Sequence, residues 1–321
     1  MSEIPQVSVV LPVWDGEAFL AEAIESILGQ TFQSLELILV DDGSSDGSLR
    51  IAEEYAARDG RVRVLRQQER GGYARAINAG IHAARGQFIA RMDGDDVAHA
   101  DRLRQQVDYL QANPGCVAVG SAIEAIDATG SSIGVTYFAA GHEKIVSELL
   151  RGTTSLSHPT VVARRDALIA AGGYDPKLYP SEDLALWLAM GELGHLANLR
   201  QPLLRYRRHE AAVGVRDRAA QMAMTVAIVN PARLARGLEP LRNSLMSPGR
   251  VKRARYHFDC ARFALVGGSR RVAMRHAARS IASDPRWLEP YVALVASLLP
   301  RWALRAGLEM HARYRAARMQ G

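Results

Sequence analysis

The sequence predicts an α/β fold with a mostly parallel, Rossmann-like central sheet flanked by helices and followed by a helical C-terminal extension. Two observations lead to this prediction. Short apolar runs typical of buried strands alternate with helical patterns in the N-terminal part of the chain. Three of these runs end directly in acidic or aromatic turns. Alternating strands and helices form parallel sheets through crossover connections, and such sheets bind ligands at the carboxyl ends of their strands.

The first two strand–helix pairs support the parallel arrangement. Residues 7–11 form an apolar run, and residues 18–30 follow with apolar side chains three and four positions apart. Residues 35–40 repeat the strand pattern, and residues 45–58 repeat the helical one. The turn after the first strand contains Trp14, and the turn after the second begins with two aspartates. We therefore expect both turns at the same edge of the sheet.

The next motif-bearing strand, at residues 87–90, runs into a turn with three carboxylates, Asp93, Asp95 and Asp96. Like charges this close repel one another, and burying each of them unpaired costs on the order of several kcal/mol. A hard divalent cation bound through oxygen, Mg²⁺ or Mn²⁺, is the simplest compensation, and it would typically bridge to a phosphate. An ordinary acidic turn is the alternative, because Asp and Gly are common turn residues.

Several motifs resemble those of family 2 glycosyltransferases of the bacterial surface-glycan type, in the same order and at the same spacing. They are PVWDGE at 12–17, AIESILGQTF at 23–32, VDDGSSD at 40–46, GGYARAINAGI at 71–81 and MDGDD at 92–96, followed by DRL at 101–103. The resemblance extends from about residue 7 to residue 209, roughly two-thirds of the chain. It implies a GT-A fold, a nucleotide-sugar donor and transfer of one sugar with inversion at the anomeric carbon.

The resemblance also implies a donor site. Trp14 offers a flat face on which a nucleobase could stack, a contact that contributes about 1–3 kcal/mol. The family more often has Tyr-Asn where this chain has Trp14 and Asp15. Asp42 would accept the ring N–H of a uracil-type or thymine-type base, so UDP is the preferred nucleotide and dTDP the next. The predicted donor site comprises Pro12, Trp14, Asp15, Glu17, Asp42, Gly72, Arg75, Asp93 and Gly94.

A divalent metal, Mn²⁺ or Mg²⁺, is the implied cofactor. Asp95 and Asp96 are the preferred ligands, with Asp93 and His209 as further candidates. The metal would neutralise charge that develops on the leaving diphosphate, which is a Lewis-acid role. His209 closes a strand-like run at residues 203–209, and a neutral imidazole could complete the metal shell. A partly buried structural histidine is the alternative.

The general base is predicted at residues 181–188. Ser181 is placed to cap a helix, which puts Glu182 and Asp183 in its first turn, where the helix dipole favours ionised carboxylates. Acidic residues also occupy first turns for purely local reasons. The motif resembles the Glu-Asp motif of the family, whose Asp is the catalytic base. The resemblance therefore assigns the base to Asp183 and a supporting role to Glu182.

Two further residues are weaker candidates near the acceptor or the phosphates. His158 lies in the run SHPTVV at residues 157–162, a region where this family often has a histidine close to the donor or acceptor. Arg207 is a candidate phosphate contact on a strand-like run. The alternatives are a structural histidine and the solvated face of a strand.

Composition agrees with a soluble enzyme. The 321 residues are 48% hydrophobic, which is sufficient for a sizeable core. Cys116 and Cys260 lie far apart, without metal-ligand spacing, as expected for a reducing cytoplasmic setting. The N-terminus lacks signal-peptide features, and no apolar run reaches the roughly 18–20 residues that span a bilayer. We predict a catalytic domain at 1–215, divided at about residue 100 into nucleotide-binding and acceptor parts, and a helical region at 216–321.

The C-terminal region differs in charge from the rest. Residues 250–321 contain fifteen Arg or Lys and four Asp or Glu, a net of +11; the whole chain is +6, so residues 1–249 carry −5. This asymmetry indicates an anionic partner. No nucleic-acid motif is present, so no nucleic acid is expected. The apolar run 288–299 and the Arg, Trp and Leu spacing at 300–308 favour a helix lying on the inner face of the plasma membrane. A helical subdomain packed on the catalytic domain is the alternative.

The sequence predicts an inverting glycosyltransferase that moves a sugar to a glycan, lipid-linked or other hydroxyl acceptor, in cell-surface polysaccharide synthesis. A nucleotidyltransferase would call for a Gly-rich phosphate loop with Arg or Lys after the first strand, where this chain has residues 14–17, WDGE. A non-catalytic module acting through the basic tail would be favoured by loss of the carboxylates, and both sets are present. The identity of the acceptor depends on loops near residues 138–154, and the fold class alone does not determine it.

Overall fold

The computed structural model describes residues 4–153, 155–209, 218–241, 252–267 and 269–299. Its contacts divide the chain into two compact units. The first comprises Met1–Ala125, Val135–Arg207 and Asp217–Met246, and the second comprises Ile126–Gly134, Arg208–Arg216 and Ser247–Gly321. The domain boundary that we place at residue 215 stays a prediction.

Within the described residues, the central sheet has nine strands: β1 (Val7–Val13), β2 (Leu35–Asp41), β3 (Val62–Arg66), β4 (Phe88–Arg91), β5 (Val97–Ala98), β6 (Cys116–Asp127), β7 (Ser132–Thr136), β8 (Val162–Arg164) and β9 (His195–Arg208). Their order in the sheet is β3-β2-β1-β4-β8-β6-β9-β5, with β7 paired to β6. Strands β1 to β4 are mutually parallel, whereas β8 pairs antiparallel with β4 and β6. The predicted α/β fold class is confirmed.

Seven helices accompany the sheet up to residue 193, and an eighth follows β9. They are α1 (Leu20–Leu28), α2 (Ser48–Arg58), α3 (Tyr73–Ala83), α4 (Arg102–Ala112), α5 (His142–Leu149), α6 (Arg165–Ala170), α7 (Glu182–Leu193) and α8 (Arg218–Leu234). Two short 3₁₀ turns lie at His158–Thr160 and Pro176–Leu178. The predicted helices at 18–30 and 45–58 correspond to α1 and α2.

The core lies on both faces of the parallel strands. Successive side chains of a strand point to opposite faces. Val10 accordingly packs in one buried cluster with residues of α3 and α7, and Val9 packs in the other with residues of α1 and α4. Gly80 allows α3 to approach β1 closely, because a Cβ there would lie 2.3 Å from a methyl carbon of Val10. Helices on both faces explain why β1 and β2 are apolar along almost their whole length.

A buried ion cluster supports the amino-terminal end of β2. Glu36 accepts hydrogen bonds from Ser8 Oγ at 2.6 Å, Arg63 Nη1 at 2.8 Å and Arg85 Nη2 at 2.8 Å. Burial raises the pKa of Glu36, but these hydrogen bonds outweigh it and lower the pKa to about 2. The cluster lies at the end of the strand opposite to the predicted site.

The second unit contains three consecutive helices, α9 (Lys252–Val266), α10 (Arg270–Ser283) and α11 (Glu289–Leu298). They pack together through Ala261, Ala277 and Ala293, whose small side chains allow close approach. Among the described residues, no helix is both long and apolar enough to cross a membrane. The predicted interfacial helix at 300–308 lies outside the described residues.

Candidate active site

The acidic turn after β4 brings three carboxylates together. Asp93, Asp95 and Asp96 each place an oxygen within 4.8 Å of the others. Asp96 is buried, and burial raises its pKa well above 3.8, with the charges of the other two raising it further. Its Oδ1 accepts a hydrogen bond from the backbone of Arg207 at 2.8 Å. Its Oδ2 is buried and has no hydrogen-bond partner in the described part of the chain. An unpaired buried oxygen beside two further carboxylates is what a bound cation would satisfy.

Asp93 has a protein counter-charge of its own. Arg91, the last residue of β4, donates from Nη1 to Asp93 Oδ2 at 2.7 Å and from Nη2 to Asp93 Oδ1. The Nε of Arg91 donates to the hydroxyl of Tyr73 at 2.5 Å. A bidentate pair of this kind largely neutralises Asp93. It therefore favours Asp95 and Asp96 over Asp93 as metal ligands.

Arg207 contacts the acidic turn through both its backbone and its side chain. Besides its backbone contact to Asp96, its Nε donates to the carbonyl oxygen of Asp95 at 2.8 Å, and its Nη2 donates to Glu22. The guanidinium also lies 4.5 Å from the ring centre of Phe19. Arg207 is buried, so the alternative of a solvated strand face is wrong for this residue. Its predicted phosphate contact stays a prediction.

Arg102, at the start of α4, is another buried arginine near the acidic turn. Its Nη2 donates to the carbonyl oxygen of Arg91 at 2.7 Å, and its Nε donates to Gln106 at 3.1 Å. Burial lowers the pKa of Arg102 to about 9, although the charge of Asp96 opposes that effect. Its Nη1 has no acceptor within the ranges that the structure describes. Arg91, Arg102 and Arg207 thus offset part of the negative charge of the turn.

Asp42 orders the loop that precedes α3. Its Oδ1 accepts the backbone N–H of Gly71 at 2.7 Å, and its Oδ2 accepts that of Gly72 at 2.9 Å. Gly72 has a φ of +87°, a conformation that L side chains rarely adopt. Each carboxylate oxygen can accept more than one hydrogen bond, so these contacts leave capacity for a base N–H.

Trp14 lies at the end of β1 with 40% of its surface exposed. The guanidinium carbon of Arg70 lies 3.3 Å from the ring centre of Trp14, in a cation–π contact. No local sequence pattern indicates this contact. The predicted base platform is therefore accessible and already carries a cationic neighbour on one face.

The remaining predicted donor residues lie around these turns. Asp15 Oδ1 accepts the N–H of Ser45 at 2.7 Å, and Glu17 Oε2 accepts that of Gly47 at 3.0 Å, so both carboxylates tie the first turn to the second. The other three occupy a buried position in β1, an exposed position on α3 and the middle of the acidic turn: Pro12, Arg75 and Gly94.

The two carboxylates of α7 differ in their surroundings. Glu182 is buried, and burial raises its pKa to about 7. Its Oε2 lacks a partner among the residues described. Asp183 is partly exposed, and burial raises its pKa above 3.8. Ser181 occupies the N-cap position, but its hydroxyl donates to the carbonyl oxygen of Gln221 at 3.2 Å and makes no capping bond.

His158 belongs to an aromatic cluster beside this helix. Its Nε2 lies 2.8 Å from the hydroxyl of Tyr174, and its ring packs edge-on against Tyr73 and Trp187. Burial lowers the pKa of His158 well below 6.5, and the charge of Arg91 lowers it further. The imidazole is therefore neutral at physiological pH.

The acidic turn and α7 form one electrostatic site. The charge of Arg91 lowers the pKa of Asp183, and the charge of Asp183 raises the pKa of Asp93, each as a smaller effect than burial. Arg91 contacts Asp93 and Tyr73 directly, and the ring of Tyr73 packs against that of His158. His209 directly follows β9 and belongs to the second unit, and its role as a metal ligand stays a prediction.

The sequence analysis did not identify the residues that lie between the acidic turn, α7 and His158. Arg91 ends β4, and its position two residues before the first of three carboxylates was an available signal. Tyr73 and Trp187 lie inside runs that were recognised for other reasons. Tyr174 carries no local signal, because its contact with His158 arises only in the folded chain.

Comparison with solved structures shows that the fold is that of GT-A glycosyltransferases. The chain is similar to TarS of S. aureus, solved in complex with UDP, with a TM-score of 0.57 and 16% identity over 91% of this chain and 88% of that one. It is also similar to the mannosyltransferase PcManGT from Pyrobaculum calidifontis, solved with GDP-Man and Mn²⁺, with a TM-score of 0.52 and 19% identity over 99% of this chain and 87% of that one.

Sequence comparison identifies the family. Residues 8–171 match the family described as Glycosyl transferase family 2. A curated relative, the amylovoran biosynthesis glycosyltransferase AmsE of Erwinia amylovora, is 31% identical over 189 residues, which cover 59% of this chain and 70% of AmsE. The chain therefore belongs to glycosyl transferase family 2, and the protein is a glycosyltransferase.

Proposed function

We propose that the protein transfers one sugar, with inversion at the anomeric carbon, from a nucleotide-diphosphate sugar to a hydroxyl of a glycan, lipid-linked or other acceptor in cell-surface polysaccharide synthesis. The observation that carries this proposal is the cluster of Asp93, Asp95 and Asp96 after β4, whose carboxylate oxygens lie within 4.8 Å of one another. This cluster supports a site for the donor phosphates, and the charge of Asp183, which raises the pKa of Asp93 as a smaller effect than burial, is consistent with a base nearby. The likeness to AmsE supports a role in polysaccharide synthesis.

The residues of the acidic turn fit a divalent cation. Asp95 and Asp96 would hold Mn²⁺ or Mg²⁺, because the buried Oδ2 of Asp96 has no partner among the described residues and Asp93 is already paired with Arg91. When bound, the metal neutralises charge on the leaving diphosphate. The fold neighbour solved with Mn²⁺ supports this assignment.

The proposed reaction is a single displacement. Asp183 takes the proton from the acceptor hydroxyl at its carboxylate, and the acceptor oxygen forms a bond to the anomeric carbon. The bond between that carbon and the diphosphate breaks, so the configuration inverts. Burial raises the pKa of Asp183, which makes it a stronger base than an exposed aspartate. Glu182, with a pKa of about 7, remains largely protonated in mildly acidic solution. Under those conditions it adds no second negative charge next to Asp183 in the first turn of α7.

Trp14 and Asp42 would hold the base of the nucleotide. Trp14 is partly exposed and could stack on a base, and Asp42 holds Gly71 and Gly72 while retaining acceptor capacity for a base N–H. A ring N–H flanked by carbonyl groups suits this carboxylate, which favours UDP and then dTDP. The fold neighbours were solved with UDP and with GDP-Man, so the nucleotide is part of the proposal.

Calorimetric titration with UDP, dTDP and GDP, each with and without Mn²⁺, tests the donor site. We expect one diphosphate, UDP first, to bind tightly and only with the metal. Preference for the triphosphate UTP over UDP would instead favour a nucleotidyltransferase. Absence of binding by any nucleotide to folded protein would favour a non-catalytic module.

We further propose that the basic C-terminal region binds an anionic membrane surface, which would bring the enzyme to a lipid-linked acceptor. The net charge of +11 over residues 250–321 supports this, as do the exposed apolar side chains Leu288, Val292 and Val295. Deleting residues 300–321 should weaken sedimentation with vesicles containing phosphatidylglycerol. Equal sedimentation of both chains would contradict the membrane proposal.

A further inference from the structure

A partly open pocket adjoins the candidate base. A cavity of about 190 Å³ is lined by Asp183 and Trp187 of α7, by the loop that follows α5, and by three residues of α8: Gln221, Met222 and Thr225. All of these residues belong to the first unit. Helix α8 lies beyond residues 8–171, the part of the chain that matches the family.

Helix α8 is attached to the residues immediately before the two carboxylates. The Ser181 hydroxyl donates to the carbonyl oxygen of Gln221 at 3.2 Å and lies 3.4 Å from the hydroxyl of Thr225. The side-chain amide of Gln221 donates to the carbonyl oxygen of Pro180 at 3.4 Å. Gly152 fits closely against Thr225, because a Cβ there would lie 2.7 Å from the Thr225 methyl group. These contacts fix the wall of the cavity relative to Asp183.

The lining combines apolar and hydrogen-bonding groups. Leu156 and Met222 are apolar, whereas Gln221 and Thr225 carry polar groups. Trp187 is buried, and its indole Nε1 finds no acceptor within the described ranges. A buried indole N–H usually has a hydrogen-bond acceptor, so this donor beside the cavity is available to a bound ligand. At roughly 30 Å³ per water, the volume equals about six waters, which suits one sugar ring.

We propose that this cavity binds the sugar unit of the acceptor that presents its hydroxyl to Asp183, and that Gln221, Met222 and Thr225 of α8 determine which sugar is accepted. The inference rests on the proposed function. A general base must lie within hydrogen-bond distance of the proton that it removes, about 2.6–3.2 Å, so the hydroxyl must enter the space that Asp183 lines. The apolar groups then contact the ring face, and the polar groups select among its hydroxyl positions.

The test uses methyl glycosides of common hexoses as acceptor probes. Saturation-transfer NMR, with UDP and the diamagnetic Mg²⁺ present, would show which glycosides bind the full-length protein. Met222→Trp fills the cavity and should weaken binding of the preferred glycoside at least tenfold. The matched control, Ala223→Trp, adds the same side chain at an exposed position of the same helix and should change it less than twofold. Thr225→Val keeps the shape, removes the hydroxyl and should change the ranking of the glycosides.

UDP affinity, measured in the same samples, distinguishes failure of the cavity assignment from failure of the proposed function. If UDP binds wild-type protein and Met222→Trp binds glycosides normally, the cavity assignment is wrong. It is equally wrong if no glycoside binds, or if Met222→Trp instead changes which UDP-sugar binds, because the cavity would then belong to the donor. If UDP itself does not bind wild-type protein, the proposed function fails first. A melting curve for each variant excludes unfolding, and Thr225→Val carries the test if Met222→Trp does not fold.

Discussion

Arg91 and Asp93 form a bidentate ion pair within a turn that contains two further aspartates. The pair has two effects. It removes one of three negative charges from the immediate site, and it places a guanidinium where its charge lowers the pKa of Asp183 and of His158. Arg91 thus connects the candidate metal site with the candidate base.

Replacing Arg91 should destabilise the protein. Arg91→Met would leave Asp93 without its counter-charge beside two other carboxylates, and breaking a buried pair in this way costs about 3–5 kcal/mol. Because Asp93 is partly exposed, we expect a value near the lower end of that range, measured by urea unfolding. Arg50→Ala removes an exposed pair with Glu54 and should change stability by less than about 0.5 kcal/mol. Equal losses in the two variants would contradict the role given to Arg91.

Metal-dependent nucleotide binding should depend on Asp95. Asp95→Asn keeps the size of the side chain and removes its charge, so UDP affinity in the presence of Mn²⁺ should fall at least tenfold, or about 1.4 kcal/mol. Asp108→Asn removes an exposed carboxylate of α4 and is the matched control. If calorimetry gave the same Mn²⁺-dependent affinity for Asp95→Asn and wild type, Asp95 would not be a ligand.

Glu182 should make the stability of the fold depend on pH. Its pKa is about 7 in the folded protein against an ordinary 4.5, so the folded state binds more protons than the unfolded state between these values. Stability is therefore fully present below about pH 4.5 and declines as pH rises through 7. The loss approaches about 3 kcal/mol at 1.36 kcal/mol per pKa unit. Glu182→Gln should remove this decline in urea unfolding series between pH 5 and 8. A variant that declines as steeply as wild type would refute the assignment.

The second unit should respond to acid in the opposite direction. His276 Nε2 lies 3.2 Å from Asp127, and its Nδ1 lies 2.9 Å from His257 Nδ1. Burial lowers the pKa of His257 to about 4, and the charge of His276 lowers it further. The unfolded state therefore binds more protons, and stability present above pH 6.5 is lost as pH falls towards 4.

His257→Phe should flatten that acid-induced loss, because the aromatic ring remains and the titrating nitrogen is removed. The measurement is helical circular dichroism during urea unfolding between pH 4 and 7. His82→Gln changes an exposed histidine and should leave the slope as in wild type. An unchanged slope in His257→Phe would show that other groups control the acid response.

Local patterns were sufficient to predict the sheet edge and its turns. Trp14, Asp42 and Asp93 follow strands β1, β2 and β4, and their places follow from strand periodicity and turn residues alone. Contacts between distant parts of the chain could not be predicted in this way. Arg207 bonds to Asp96 across 111 positions, and nothing in the sequence around either residue indicates the pairing.

Ser181 shows how tertiary contacts override a local signal. A serine before two acidic residues favours an N-cap, and the helix does begin there. The hydroxyl nevertheless donates to Gln221, because α8 supplies a buried acceptor at that point. The same helix lines the cavity beside Asp183, and the sequence alone gave no sign of that position.

The central claim is that Asp183 removes the proton from the acceptor, and Asp183→Asn tests it most directly. The asparagine keeps the shape of the side chain and cannot act as a base, so sugar transfer should fall about 10²–10⁴-fold. Calorimetry with UDP and Mn²⁺ should give the same affinity as wild type, since the acidic turn is unchanged. Transfer at the wild-type rate by Asp183→Asn, from protein that binds UDP normally, would contradict the account.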